Sequence, residues 1–175
     1  MFFGALVLLA SCGNKAEEGK LILDYNSAYN QKDYDRLNQI IHDDIKIYDM
    51  GVKVLEGKEA FIDLIEWGEV FNSVSEVVEL LNEEGEFVLK EKQFSDRGNY
   101  LFGKDLLCKT YFRFKSGRIH KINSEIIDLD KDAFTSKMDL LKECAKTNFP
   151  DEQEKMFEIS KEGAIVFKKI MENCN

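Results

Sequence analysis

Proline occurs once and glycine eleven times in 175 residues, and no repeat or low-complexity tract interrupts the sequence. That composition excludes a disordered or collagen-like chain and predicts a fold over nearly the whole length. A run of basic side chains is also missing. The 24 lysines and arginines are outnumbered by 33 aspartates and glutamates, for a net charge of -9, so nucleic acid is not an expected partner. Only two histidines are present, and the four cysteines form no Cys-x-x-Cys element, which argues against a cysteine–histidine zinc site. No metal and no cofactor are expected.

Charge is absent altogether from Met1 to Ser11, where Phe2 to Ala10 forms a short apolar run. The run is too short to span a bilayer as a helix, and its length fits the h-region of a secretory signal. It closes on Leu9-Ala10-Ser11-Cys12, which resembles the bacterial lipobox, where a leucine and two small residues precede a cysteine that is acylated and becomes the mature N-terminus. The basic n-region usual in such signals is absent before Lys15. The expectation is a signal segment over 1–11, a lipid on Cys12, a tether over 12–19, and attachment to the bacterial cell envelope at the outer membrane, on its periplasmic or surface face. Lys15-Ala16-Glu17-Glu18 resembles the charged signals that send some Gram-negative lipoproteins to the surface.

The remaining 164 residues suffice for one domain with a sizeable core. Helical spacing places Leu21, Ile22, Tyr25, Ala28 and Tyr29 on one face of a helix over about 16–30. Asp33 can cap a shorter helix carrying Leu37, Ile40 and Ile41. Ile45, Ile47 and Asp49 then alternate with Lys46, Tyr48 and Met50 as a strand does, and a third helix is expected over 57–71. Four strands follow, over 73–81, 87–94, 104–115 and 118–128, separated by turn-forming residues. In the third of these, Leu106, Cys108, Thr110, Phe112 and Phe114 share one side. Helices gathered before an antiparallel meander predict an α+β layer in which a curved sheet wraps around the N-terminal helices.

The order of these elements, together with Tyr25-Asn26-Ser27-Ala28-Tyr29-Asn30-Gln31-Lys32-Asp33, His42-Asp43-Asp44-Ile45, Tyr48-Asp49, Glu56-Gly57-Lys58-Glu59-Ala60-Phe61, Phe112-Arg113-Phe114 and Ser116-Gly117-Arg118-Ile119, resembles the NTF2-like superfamily over residues 20–128, in particular its SnoaL-like and ketosteroid-isomerase branch. The resemblance implies a cone with an apolar pocket between the long helix and the concave sheet. It also implies Asp49 as a general base and Tyr25 as an oxyanion-stabilising phenol, in a pocket that includes Tyr29, Trp67, Thr110 and Phe112. Desolvation on an apolar strand face would raise the Asp49 carboxyl, and a buried phenol can donate to a developing oxyanion. Thr110 stands where the isomerases place a second, protonated acid, which argues against steroid isomerisation. Each residue has a plainer reading: Asp49 as a strand-end turn, Tyr25 as a core tyrosine, Trp67 as a core-edge aromatic. His42 reads as a helix-end residue, His120 as a strand residue of ambiguous side. Asp128, Asp130 and Asp132 imitate the opening of a calcium loop, but Ala133 replaces its essential glycine, so a solvated helix start is the expectation.

Residues 129–175 form an extension beyond that domain. Phe134, Met138, Leu141 and Ala145 define one helical face and Phe157, Ala164, Phe167 and Met171 another, with a break at Phe149-Pro150-Asp151. With Cys12 assigned to the lipid, Cys108, Cys144 and Cys174 remain. In an oxidising compartment Cys144 and Cys174 are the best-placed pair, and three buried unpaired thiols are the competing reading. Three functional classes stay open: a non-catalytic envelope module binding a small apolar ligand, an acid–base enzyme using Asp49 and Tyr25, and an interaction or homodimerisation module.

Overall fold

The computed structural model describes residues 8–83 and 86–174, with side chains from Lys15 onward; the first seven residues of the expected signal segment and the side chain of Cys12 lie outside the described residues. The elements run α1 (Leu8–Gln31), α2 (Tyr34–Ile40), β1 (Ile41–Asp49), β2 (Val52–Glu56), α3 (Lys58–Val70), β3 (Val74–Glu83), β4 (Glu86–Phe94), α4 (Asp96–Phe102), β5 (Leu106–Lys115), β6 (Arg118–Ile126), α5 (Lys131–Asn148), a single 3-10 turn (Lys155–Phe157) and α6 (Lys161–Asn173). No described helix is long and apolar enough to cross a membrane.

Residues 12–19, expected as a tether, are helical and form part of α1. Ala16, Glu17, Glu18 and Lys20 are strong helix formers, and Gly19 passes so close to strand β4 that a Cβ there would lie 3.4 Å from the Phe87 ring. Asp33 caps α2 by accepting from the Arg36 backbone N–H at 2.9 Å. Ile41 and His42, expected in or at the end of this helix, instead open β1, because Ile41 pairs with Ile119.

The sheet has six strands in the order β2-β1-β6-β5-β4-β3. It is antiparallel except where β1 runs parallel to β6, with Ile47 beside Ile122 and Asp49 beside Ser124. The expected meander of β3 to β6 is antiparallel, and β1 makes the sheet mixed, because the chain crosses to the far edge through α3 before the meander returns it to β1. One face of the sheet packs on α1, α2 and α3 around Ile22, Leu37, Phe61, Ile65, Leu89, Phe112 and Ile119. Asn30 locks α1 to β3 from both sides, donating to the Ser75 carbonyl at 2.7 Å and accepting from the Ser75 N–H at 2.8 Å.

A second apolar cluster joins Phe71, Leu101, Met138, Leu141, Met156, Phe167 and Ile170. It lies between the C-terminal end of α3, α4 and the extension, so α5 and α6 pack on the protein's own helices. Phe157 is not on the α6 face as its spacing suggested; it sits in the 3-10 turn, 52% exposed, and Met156 takes the buried place. Asp130 caps α5 by accepting from Ala133 N–H at 3.0 Å, a helix start rather than a metal loop. Cys144 and Cys174 are disulfide-bonded with Cα atoms 6.0 Å apart, while Cys108 is a buried free thiol.

Candidate functional site

Between α1, α3, α4 and the sheet lies a cavity of about 220 Å³. Its helical wall is aromatic and aliphatic: Tyr25 and Tyr29 from α1, and Phe61, Ile65 and Trp67 from α3. Helical spacing aims Tyr25, Tyr29, Phe61 and Ile65 at the sheet, while Trp67 reaches the cavity from the side of α3 that packs on the helical cluster. The sheet wall is mixed, with Ile47 and Ile122 flanked by Thr110, Ser124 and the carboxylate of Glu91. Gly68 keeps the wall open, because a Cβ there would come within 3.4 Å of the Tyr29 hydroxyl oxygen.

Glu91 is 6% exposed. It accepts from the Thr110 hydroxyl at 2.7 Å and from Gln93 Nε2 at 3.2 Å, and Thr110 also meets the Ser124 hydroxyl at 3.1 Å. Such a carboxylate is held as an acceptor facing a mostly apolar space. Its charge is felt around the cavity. Burial pushes Tyr29 up to about 12, with Glu91 adding to the rise and the Ser73 hydroxyl opposing it. Burial likewise lifts Tyr25 well above the ordinary phenol value, helped by Tyr29 and Glu91. Cys108, the register partner of Glu91, is pushed up to about 12 by burial and then by the Glu91 and Asp49 charges.

Arg97 projects into the cavity from the first turn of α4. Ser95 caps that helix by accepting from Gly98 N–H at 2.9 Å, and Lys168 of α6 pins it by donating to Asp96 Oδ2 at 2.8 Å. The guanidinium carbon lies 5.1 Å from the Trp67 ring centroid and 5.4 Å from that of Phe167. Burial lowers its pKa, and the charge of Asp49 acts against that shift.

Of the residues expected at the site, Tyr25, Tyr29, Trp67 and Thr110 line this cavity together. Phe112 does not: it is 1% exposed in the core beneath, edge-on to Tyr25 at 5.6 Å, because Phe87 and Ile22 fill that end of the layer. Asp49 has the inward parity expected of it, yet it is the last residue of its strand and is exposed outside the cavity lining. Partial burial still raises its carboxyl, with Arg97 opposing. His42 and His120 stack edge to face at 5.3 Å and do not line the cavity. Glu91 and Arg97 were not foreseen. Glu91 shares the parity of Phe87 and Leu89, which was a usable signal within Lys90-Glu91-Lys92; Arg97 lies in a segment that reads as a turn and gave none.

No protein-family model and no curated protein matches the chain. Solved structures do resemble it. An NTF2-like protein of unknown function from Cytophaga hutchinsonii is 14% identical with a TM-score of 0.50, covering 61% of this chain and 86% of its own. A putative ketosteroid isomerase from Kribbella flavida is 8% identical with a TM-score of 0.55, covering 66% and 82%. An LEH-like epoxide hydrolase from M. tuberculosis is 12% identical with a TM-score of 0.54, covering 72% and 95%. At these identities the likeness is one of backbone, and it agrees with the element order, the mixed curved sheet and the cavity between α1 and the strands: the chain has the NTF2-like fold, extended at its C-terminus by two helices.

Proposed function

We propose that the protein is a lipid-anchored module of the bacterial cell envelope that binds a small, largely apolar ligand inside the NTF2-like layer. The observation that carries this reading is the cavity itself, with an aromatic wall and a few convergent polar groups, Glu91, Thr110 and Ser124. Its 220 Å³ is below the roughly 300–1,000 Å³ of pockets for drug-sized molecules and suits a ligand of about one ring. Anchoring is supported by the sequence up to Cys12. Native mass spectrometry of the full chain extracted from bacterial membranes tests both halves. The expected result is an acylated N-terminal Cys12 and a small molecule retained by the wild type but absent from Gly68→Leu, whose side chain would fill the cavity. An unacylated chain with Met1 intact overturns the anchor; retention by Gly68→Leu overturns the cavity.

A second reading, acid–base catalysis on a carbonyl substrate, is favoured by one observation: a buried carboxylate and a buried phenol face the same space. The pair that supports it is Glu91 and Tyr25, since Asp49 stands outside the lining. A carboxylate held as acceptor can take a proton α to a carbonyl while the phenol donates to the oxygen. Deuterium incorporation into cyclohexanone in heavy water, lost in Glu91→Gln and Tyr25→Phe, is the outcome this reading requires.

A further inference from the structure

The Nε of Arg97 is fully shielded from solvent and finds no hydrogen-bond partner among the described residues. No ion pair of Arg97 occurs among them either, although the chain carries nine more acidic than basic side chains. Arg97 as a whole is half-buried, but an arginine nitrogen taken out of water is ordinarily paired, since a shielded donor without a partner is costly. Here the surroundings hold the cation without neutralising it: Trp67 and Phe167 offer ring faces. Asp49 is the carboxylate whose charge reaches it, but Asp49 is exposed at a strand end and forms no ion pair with it among the described residues. Glu91, the buried carboxylate of the same cavity, is already bonded to Thr110 and Gln93.

We propose that the cavity takes an organic monocarboxylate of about ring size, its carboxylate accepting from the Arg97 guanidinium and its apolar body lying against Tyr25, Ile65 and Trp67. This inference rests on the cavity being the binding site, and it adds the charge of the ligand. The planar guanidinium fork matches a carboxylate, and the apolar walls that make the unpaired cation costly make the paired one strong. The C-terminal extension thereby belongs to the site, because Phe167 of α6 supplies one of the two rings that orient Arg97.

Matched pairs of probes test the proposal: benzoate against benzamide, and cyclohexanecarboxylate against cyclohexanecarboxamide, titrated calorimetrically into the full chain. The carboxylates bind about tenfold or more tighter than their amides, the margin of one charge-assisted contact. In Arg97→Met the preference disappears, while affinity for the amides stays within about twofold and the melting temperature is at or above that of the wild type. Arg97→Lys, which keeps the charge without the fork, retains part of the preference and serves where the methionine variant does not fold. Equal affinity within the pairs in the wild type, or a preference that survives Arg97→Met, overturns the assignment while leaving the cavity as a site for neutral ligands. Binding of no probe in either series overturns the cavity reading and this inference together.

Discussion

Thr110 has two neighbours that depend on it, the buried Glu91 carboxylate at 2.7 Å and the Ser124 hydroxyl at 3.1 Å. Thr110→Val keeps the shape of the side chain and removes the donor, leaving a 6% exposed carboxylate with Gln93 as its remaining protein partner. The expected loss is about 1.5–3 kcal/mol in urea unfolding, the worth of a hydrogen bond to a charged group; a neutral result would mean that Glu91 is not held as described. Tyr29 contributes to the alkaline limb, alongside Cys108 and Tyr34. The Tyr29 phenol titrates at about 12 in the folded protein and near 10 when unfolded. In that interval the unfolded chain binds fewer protons than the native one, so stability present below pH 10 is lost as the pH rises toward 12. Tyr25 acts in the same direction. Tyr29→Phe therefore shows a shallower fall in denaturant midpoint between pH 10 and 12 than the wild type, and parallel curves for the two proteins would contradict the assignment.

Among the elements, α6 carries the tightest approach. A Cβ on Gly163 would stand 2.2 Å from the Glu158 carbonyl oxygen, a backbone atom with little freedom to yield. Gly163→Ala is expected to cost about 1–3 kcal/mol by lifting the first turn of α6 from the 3-10 segment, read as a lower midpoint in urea. Strands β5 and β2 and helix α4 show why some of the architecture was legible in the sequence and some was not. Strand β5 could be read because Cys108, Thr110 and Phe112 are buried in strict alternation. β2 could not, since Val52, Val54 and Glu56 are exposed on an edge strand and its burial has no period. α4 was hidden in Ser95-Asp96-Arg97-Gly98-Asn99, which has turn composition. Its helical state depends on the Ser95 cap and on Lys168, seventy-two residues away. The aromatic half of the site was therefore visible as helical faces and Glu91 through its parity with Phe87 and Leu89, whereas Arg97 required tertiary contacts with the rings of α3 and α6.

At the scale of the molecule, α3 serves two cores, giving Phe61 and Ile65 to the sheet layer and Trp67 and Phe71 to the helical cluster. The Cys144–Cys174 bridge ties the ends of that second cluster together across a 30-residue separation. In the chain-entropy description such a closure stabilises by about 3.6 kcal/mol, so reduction, or replacement of both cysteines by alanine, should lower unfolding stability by that order. Unchanged stability after complete reduction would assign the cluster's cohesion to packing alone. The parallel pairing of β1 with β6 sets Ile47 beside Ile122, far along the chain, while β2, the other neighbour of β1, is an exposed edge. During synthesis or export the isoleucine face of β1 thus waits without its principal partner until more than half of the remaining chain has emerged. Late closure of this kind makes for slow folding and a long-lived sticky intermediate. Holding chaperones should accordingly find a binding segment in residues 41–49, which are made early and pair with β6 only after the meander has emerged.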